Sequence, residues 1–359
     1  MNKLFKQKKL TAYEAITEAQ KIAYAPLVFQ AVRTMRDLGI LQQLEENNDS
    51  GMTAENIAKK LNLSLYGVET LLESGLSCGV VELKDAETFV LSKVGYYLLH
   101  DKMTRVNMDY NHYICYQGMY YLDEAIKEGK PAGLKVFGEQ WDTLYQVLPH
   151  LPEPNKSSWY AFDHYYSDSA YPAALPIIFK NKPRTMLDIG TNIGKFTILA
   201  AQYNPDVHIT MIDLHDQLQN AIRNVEEAGL SERVDSLAMD LLDEKSQFPP
   251  GMDVYWLSQF LSCFGKNEII SILKRIAAGM DESATVYILE TCWDRQQHEA
   301  ASYSLINTSL YFTAIASGNS KMYHSKELVK CVEAAGLTVS ESYDNLGVCH
   351  TLFACKKKD

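Results

Sequence analysis

The stretch that most constrains this 359-residue chain is "MLDIGTNIGK", residues 186–195. A short apolar run stops at Asp188 and opens into a loop with Gly190 and Gly194, which leads into the helical pattern "KFTILAAQYN". A strand, a glycine loop and a helix in that order belong to a parallel sheet, where glycines let the backbone approach a ligand at the helix N-terminus. The sequence that follows agrees. From Thr185 onward, seven strand patterns ("TMLDI", "HITMID", "RVDSLAM", "MDVYWLS", "ATVYILE", "LTVSESY", "TLFACKK") are interspersed with helical ones such as "HDQLQNAIRNVEEAG" and "SKELVKCVEAAG". This alternation predicts an α/β fold whose mostly parallel sheet carries helices on both faces and a ligand at the carboxyl ends of its strands.

The loop chemistry narrows the ligand. A nicotinamide fingerprint reads G-x-G-x-x-G, whereas this loop reads Asp188-x-Gly190-x-Asn192-x-Gly194. A carboxylate two residues before the first glycine repels a pyrophosphate and suits an ammonium group. Asp213 ends the second strand about 20 residues past Gly190, the spacing of an acid that accepts hydrogen bonds from ribose hydroxyls. Asp240, in "MDLLD", follows the third strand. Each acid alone reads equally well as a solvated loop carboxylate; together, in order and at strand ends, they point to a nucleoside.

The N-terminal region has another texture. An amphipathic stretch from Ala12 to Leu44 precedes "MTAENIAKKLNLSLYGVETLLESGL" and "VVELKDAETFVLS". Thr53 is a candidate N-cap, Ile57, Ala58 and Leu61 fall at helical spacing, and "NLS" breaks the chain before a second helix from about Ser64 to Leu76. Helix, turn, helix and two short strands make a winged helix. A DNA-reading helix needs Lys, Arg, Asn or Gln, yet this one carries Glu69 and Glu73 and no Lys or Arg. A packing or dimerisation module is favoured over a regulator. Residues 105–183 read as mostly helical and Tyr-rich, in "YNHYICYQGMYYL" and "SSWYAFDHYYSDSAY", which suits either core packing or the wall of a small-molecule pocket.

A formal net charge of -11 disfavours nucleic acid and anionic membranes as partners. Seven scattered cysteines without a C-x-x-C pair suggest reduced thiols and no zinc knuckle, so no metal is expected. No stretch approaches the ~18 apolar residues of a spanning helix. The expected location is the cytoplasm.

With these motifs in place, the span from Arg184 to Lys356 resembles the class I S-adenosylmethionine-dependent methyltransferases. With the winged helix included, about 340 residues resemble the small-molecule O-methyltransferases typified by caffeic acid, acetylserotonin and hydroxyneurosporene O-methyltransferases. The resemblance implies a Rossmann-like sheet of seven strands with the last antiparallel, and an N-terminal winged-helix dimerisation domain over residues 1–104. It also implies a methyltransferase domain over residues 105–359, its residues 105–183 forming a helical linker that lines the substrate pocket and residues 184–359 the core. The implied cofactor is S-adenosyl-L-methionine, the implied partners a small-molecule acceptor and a second copy of the chain.

Carried over residue by residue, Asp188, Gly190, Asn192 and Gly194 match the glycine-rich motif, with Asp188 near the methionine ammonium and Asn192 in place of the usual middle glycine. Asp213 with Leu214 matches the acid that holds the ribose, although His215 replaces a proline. Asp240 with Leu241 matches the pair around the adenine, and Ser258 joins the cofactor set.

The chain departs from the family after its fourth strand. There the family has a stretch like "FLHHF", whose first His takes the proton of the substrate hydroxyl; this chain has "QFLSCF", with Ser262 at the His. A serine hydroxyl is no base, and Cys263 beside it belongs to a type that titrates at ~8.5. A phenol with pKa ~10 is ionised about one part in a thousand at pH 7, so losing the base costs ~10³ in rate. His298, His164 and His324 are the sequence candidates for a replacement. The acids that the family sets beside its base map onto Glu290 and Ser325, and only Glu290 is an acid here. The expectation is methyl transfer to a small aromatic or polyketide-like metabolite without the usual His. The rival readings are a cofactor-binding homologue with another activity or none, and a winged-helix regulator.

Overall fold

The computed structural model describes Phe5 and residues 9–358. Of these, residues 9–111 form one compact unit and residues 112–358 another.

The first unit opens with α1 (Ala12–Asp37), capped by Thr11 and Glu14 in a reciprocal capping box. Gly39, at φ +81°, ends the rod and starts α2 (Ile40–Glu46), so the single amphipathic stretch expected over residues 12–44 is two helices. The break follows from glycine's tolerance of the left-handed conformation. Next come α3 (Ala54–Leu61) and α4 (Leu65–Ser77). Thr53 caps α3 through the Asn56 amide and Ser64 caps α4 through the Gly67 amide, as the sequence predicts. The strands β1 (Val81–Leu83) and β2 (Phe89–Leu91) pair antiparallel and complete the winged helix. Met35, Leu41, Leu44, Ile57 and Leu72 fill its core. The helices α5 (Lys93–His100) and α6 (Lys102–Tyr110) follow, α6 running across residues 104 and 105.

The second unit begins with short helical segments, including α7 (Leu122–Glu128) and α8 (Leu144–Val147), then α9 (Asn155–Asp168) and α10 (Tyr171–Ile178). The sheet contains β3 (Thr185–Ile189), β4 (His208–Asp213), β5 (Val234–Ala238), β6 (Val254–Ser258), β7 (Thr285–Glu290), β8 (Leu337–Leu346) and β9 (His350–Lys357). All seven expected strands form. Their order is β5-β4-β3-β6-β7-β9-β8, with β9 antiparallel to both neighbours. The order reverses between β3 and β6, and at such a switch point the carboxyl ends of the strands open a crevice.

Both faces of the sheet are covered, which is why its central strands, Asp188 apart, carry apolar side chains on both faces rather than alternating. Leu187, Ile189, Tyr255 and Leu257 point to one face, with α13 (Lys266–Gly279) and α15 (Ser325–Ala334). Met186, Val254 and Trp256 point to the other, with α10, α11 (Lys195–Tyr203) and α12 (His215–Glu227). One further helix, α14 (Glu299–Tyr311), follows β7. Trp256 is fully buried and stacks on Phe196 at 4.0 Å between ring centres, directly beneath the glycine loop's helix. Trp256→Ala is expected to lower unfolding free energy by about 3–5 kcal/mol, measured by guanidinium denaturation; a loss below about 1 kcal/mol would show that the strand does not depend on this packing.

Candidate functional site

The crevice is built on the turn that leaves β3. Gly190 (φ +76°) donates its amide to Ile212 O at 2.8 Å, which pulls the loop against β4. A Cβ at Gly190 would lie 2.2 Å from the Phe260 ring, so this position admits only glycine. Gly194 (φ +80°) bends the chain into α11. Asn192 also lies in the left-handed region, at φ +56°, where asparagine is tolerated better than most residues. This explains how the loop keeps its course without a middle glycine.

Two of the expected acids brace the loop. Asp188 is buried and its Oδ2 accepts hydrogen bonds from the hydroxyls of Thr191, at 2.9 Å, and Thr197, at 2.5 Å. Burial pushes its carboxyl up to about 6 against the pull of those two donors. Asp213, at the end of β4, accepts from the Asn192 amide and the Leu214 amide, each at 2.8 Å. Burial raises it to about 6 as well. Asp240 is exposed and holds its own turn through the Leu242 amide at 2.9 Å. Leu241 is buried in the core beside Ile212 and Phe248. Ser258 closes β6 with its hydroxyl 3.5 Å from that of Tyr171.

The turn after β6 is organised by Glu290. Its Oε1 accepts the backbone amides of Phe260, Leu261 and Ser262 at 2.9, 2.7 and 3.2 Å. Burial pushes this carboxyl up to about 7, opposed by the three amides and the Ser262 hydroxyl. Ser262 is itself buried, so it takes part in the turn's bonding and supplies no base. The Cys263 thiol lies against the Tyr145 hydroxyl, and burial pushes both groups up, away from ionisation at neutral pH.

The candidate histidines are spread out. His298 is exposed at the start of α14. His324 caps α15, its Nδ1 accepting the Lys326 amide at 3.1 Å, while Ser325 bonds Asp294 through its amide and its hydroxyl, each at 2.6 Å. Asp294 thus supplies a carboxylate where Ser325 has none. His164, on α9, lies tilted against Tyr160 with ring centres 5.5 Å apart. Burial lowers it to about 4, chiefly, with Lys195 adding to the effect, which leaves it a feeble base.

The structure adds three residues that sequence reasoning passed over. Asp163, on α9, accepts from Asn192 Nδ2 and Gln259 Nε2, both at 3.1 Å. Gln259 sits at φ +48° just after β6, and its Oε1 faces His350 Nε2 at 2.7 Å. His350 is fully buried, and burial drops it to about 3, so it is neutral. Because Gln259 must turn its NH2 toward the carboxylate, its Oε1 accepts, and His350 carries its proton on Nε2. Two polar atoms near these groups, Tyr160 Oη and Asn192 Oδ1, are buried without a partner among the described residues. The only sequence signal for the set was the position of Asp163 inside "SSWYAFDHYYSDSAY".

Three desolvated carboxylates around one glycine loop form a site that gains from a positively charged, hydroxyl-bearing ligand and repels a pyrophosphate. The residues present therefore fit S-adenosylmethionine, which carries an ammonium, a sulfonium and a ribose. Among the described residues no group of His, Cys, Asp or Glu could hold a metal ion, and no helix is long and apolar enough to cross a membrane.

Comparison with known proteins agrees with this geometry. A Dimerisation2-like domain model matches residues 17–89 and an O-methyltransferase domain model matches residues 169–338. The L-tyrosine C(3)-methyltransferase of Streptomyces lavendulae is 21% identical over 304 residues, covering 84% of this chain and 81% of that protein. Two solved structures share the fold. The mitomycin 7-O-methyltransferase MmcR superposes with TM-score 0.70 at 17% identity, over 96% of this chain and 98% of its own. The O-methyltransferase NcsB1 from neocarzinostatin biosynthesis, solved with S-adenosylmethionine and 2-hydroxy-5-methyl naphthoic acid, superposes with TM-score 0.66 at 18% identity, over 92% and 95%. With both domain models matched in order and the seven-stranded sheet formed, the chain belongs to the S-adenosylmethionine-dependent small-molecule O-methyltransferases.

Proposed function

We propose that this enzyme transfers a methyl group to a small aromatic or polyketide-like metabolite and works as a homodimer joined through its N-terminal domain. The observation that carries the reading is the glycine loop clamped by the Asn192 amide onto Asp213 at the point where strand order reverses. In this reading Asp213 receives the ribose hydroxyls, Asp188 lies nearest the methionine ammonium, and the backbone at Gly190, Asn192 and Gly194 lines the cofactor. Asp240 and Leu241 flank the adenine, and Ser258 borders the crevice. When bound, S-adenosylmethionine supplies a methyl group on a good leaving group, so the protein's main task is holding the acceptor in line. In the same reading Tyr145, Tyr160 and Tyr311 wall the acceptor, and Trp159 Nε1 steadies Tyr311 by donating to its Oη at 3.0 Å. The relatives named above act, by their names, on tyrosine and on mitomycin, and NcsB1 was solved with a naphthoic acid, which supports an aromatic acceptor here.

One observation favours a second reading, in which the cofactor binds and no methyl is transferred: Ser262, which the resemblance sets at the position of the family's base, spends its bonds on Glu290. The two readings part on product. Incubation with S-adenosylmethionine and L-tyrosine, catechol or 1,4-dihydroxy-2-naphthoic acid is expected to release S-adenosylhomocysteine and yield a product heavier by one methylene in mass spectrometry. Release from none of the three would favour the second reading.

Cofactor placement has its own test. Asp213→Ala removes hydrogen bonds to a charged group and the loop's anchor, so S-adenosylhomocysteine affinity is expected to fall about 10–100-fold in calorimetry. Unchanged affinity would place the ribose elsewhere. The dimer is supported by α1, whose Tyr13, Ile22, Tyr24 and Leu27 are exposed large apolar side chains on one helix. Light scattering is expected to give twice the 40.6 kDa chain mass, and the paired change Ile22→Glu, Leu27→Glu is expected to return the monomer. A wild-type monomer at micromolar concentration would remove the dimer from the account.

A further inference from the structure

The unfilled role in this site is that of the base. Asp163 stands on α9 between the glycine loop and the turn after β6, tied to the first by Asn192 Nδ2 and to the second by Gln259 Nε2. Each of its oxygens takes one amide donor in those bonds and, among the described residues, keeps a lone pair for another. The mount is stiff: Gln259 is held in turn by His350, and Asn192 is pinned at its backbone by Asp213. Beside it, Tyr160 presents a buried hydroxyl that has no partner among the described residues.

We propose that Asp163 is the general base that takes the proton from an aromatic hydroxyl acceptor, the task Ser262 cannot perform; this rests on the methyl-transfer reading above. The proton passes from the hydroxyl to the Asp163 carboxylate. An electron pair from the oxygen, or from the ring carbon ortho to it, forms the bond to the methyl carbon. The carbon–sulfur bond breaks, its electrons stay on sulfur, and the sulfonium becomes the neutral thioether of S-adenosylhomocysteine. Attack through carbon also releases the ring hydrogen as a proton to water, and Asp163 returns its own proton as product departs.

The surroundings suit the role. Burial, with Asp168 adding to it, holds the Asp163 carboxyl at about 7 against Lys195, Asn192 and Gln259, which favour the charged form. Lys195 is itself paired with Asp168, at 2.7 Å. The other titratable neighbours, Tyr145, Tyr160, Tyr171 and Cys263, are all pushed up by burial and stay neutral near pH 7, while His164, lowered to about 4, is neutral too. A base poised near neutrality is what transfer from a phenol requires.

Asp163→Asn keeps the shape and removes the proton acceptor. With catechol at pH 7 it is expected to lower kcat about 10²–10⁴-fold, and with 4-nitrocatechol, already ionised near neutrality, far less. The wild-type limb of kcat/KM that falls as pH drops through about 7 should vanish, leaving a steady rise with phenolate concentration. Asp163→Glu should recover part of the rate. In calorimetry, Asp163→Asn, which removes one of the loop's carboxylates, should lose no more than about tenfold in S-adenosylhomocysteine affinity, well short of its rate loss with catechol. An affinity loss that matches the rate loss would make Asp163 a cofactor ligand and overturn the proposal, as would equal rate losses with both catechols. If the wild-type protein releases no S-adenosylhomocysteine with either catechol, with L-tyrosine or with 1,4-dihydroxy-2-naphthoic acid, the methyl-transfer reading fails and the base falls with it.

Discussion

Asn192 is the joint on which the site depends. Its backbone amide fastens the glycine loop to Asp213 on β4, and its side-chain amide fastens the same loop to Asp163 on α9. Both bonds require the left-handed backbone at φ +56°, which places amide and side chain on the crevice side together. A glycine would hold the first bond and lose the second. The asparagine that looks like a flaw in the glycine motif is therefore the residue that brings a third carboxylate into the crevice.

A second constraint acts on the opposite wall. Glu290 gathers three consecutive amides of the turn after β6, and burial raises its carboxyl because those amides only partly replace water. The turn is thereby fixed whether or not a histidine stands at position 262. Electrostatics then decide what the crevice accepts: three acids near one loop, all above the ordinary carboxylate range, form a cavity short of positive charge.

Most of this architecture is legible in the chain. Strand patterns from "TMLDI" to "TLFACKK", the caps Thr53 and Ser64, and the acids at the ends of β3 and β4 follow from local rules of periodicity, capping and strand-end chemistry. The break at Gly39 was written in the sequence as well, but amphipathic periodicity running through it hides the turn. What local rules miss is long range. Asp163, Gln259 and His350 stand 96 and 91 residues apart along the chain in their two contacts, and no spacing rule links them. Leu241, set beside Asp240 by the motif, also packs with Ile212 and Phe248, a contact that no local rule names.

The crevice, in this reading, is shaped for a cationic nucleoside. Calorimetric titration of the wild-type protein with S-adenosylmethionine and with NAD, at pH 6 in buffers of differing ionisation enthalpy, tests it most directly. Near that pH, Asp188 and Asp213 are partly protonated, and a bound cation favours their charged forms. S-adenosylmethionine is expected to bind with net release of protons to the buffer, and NAD is expected not to bind. Binding of NAD, or binding of S-adenosylmethionine with proton uptake, would contradict it.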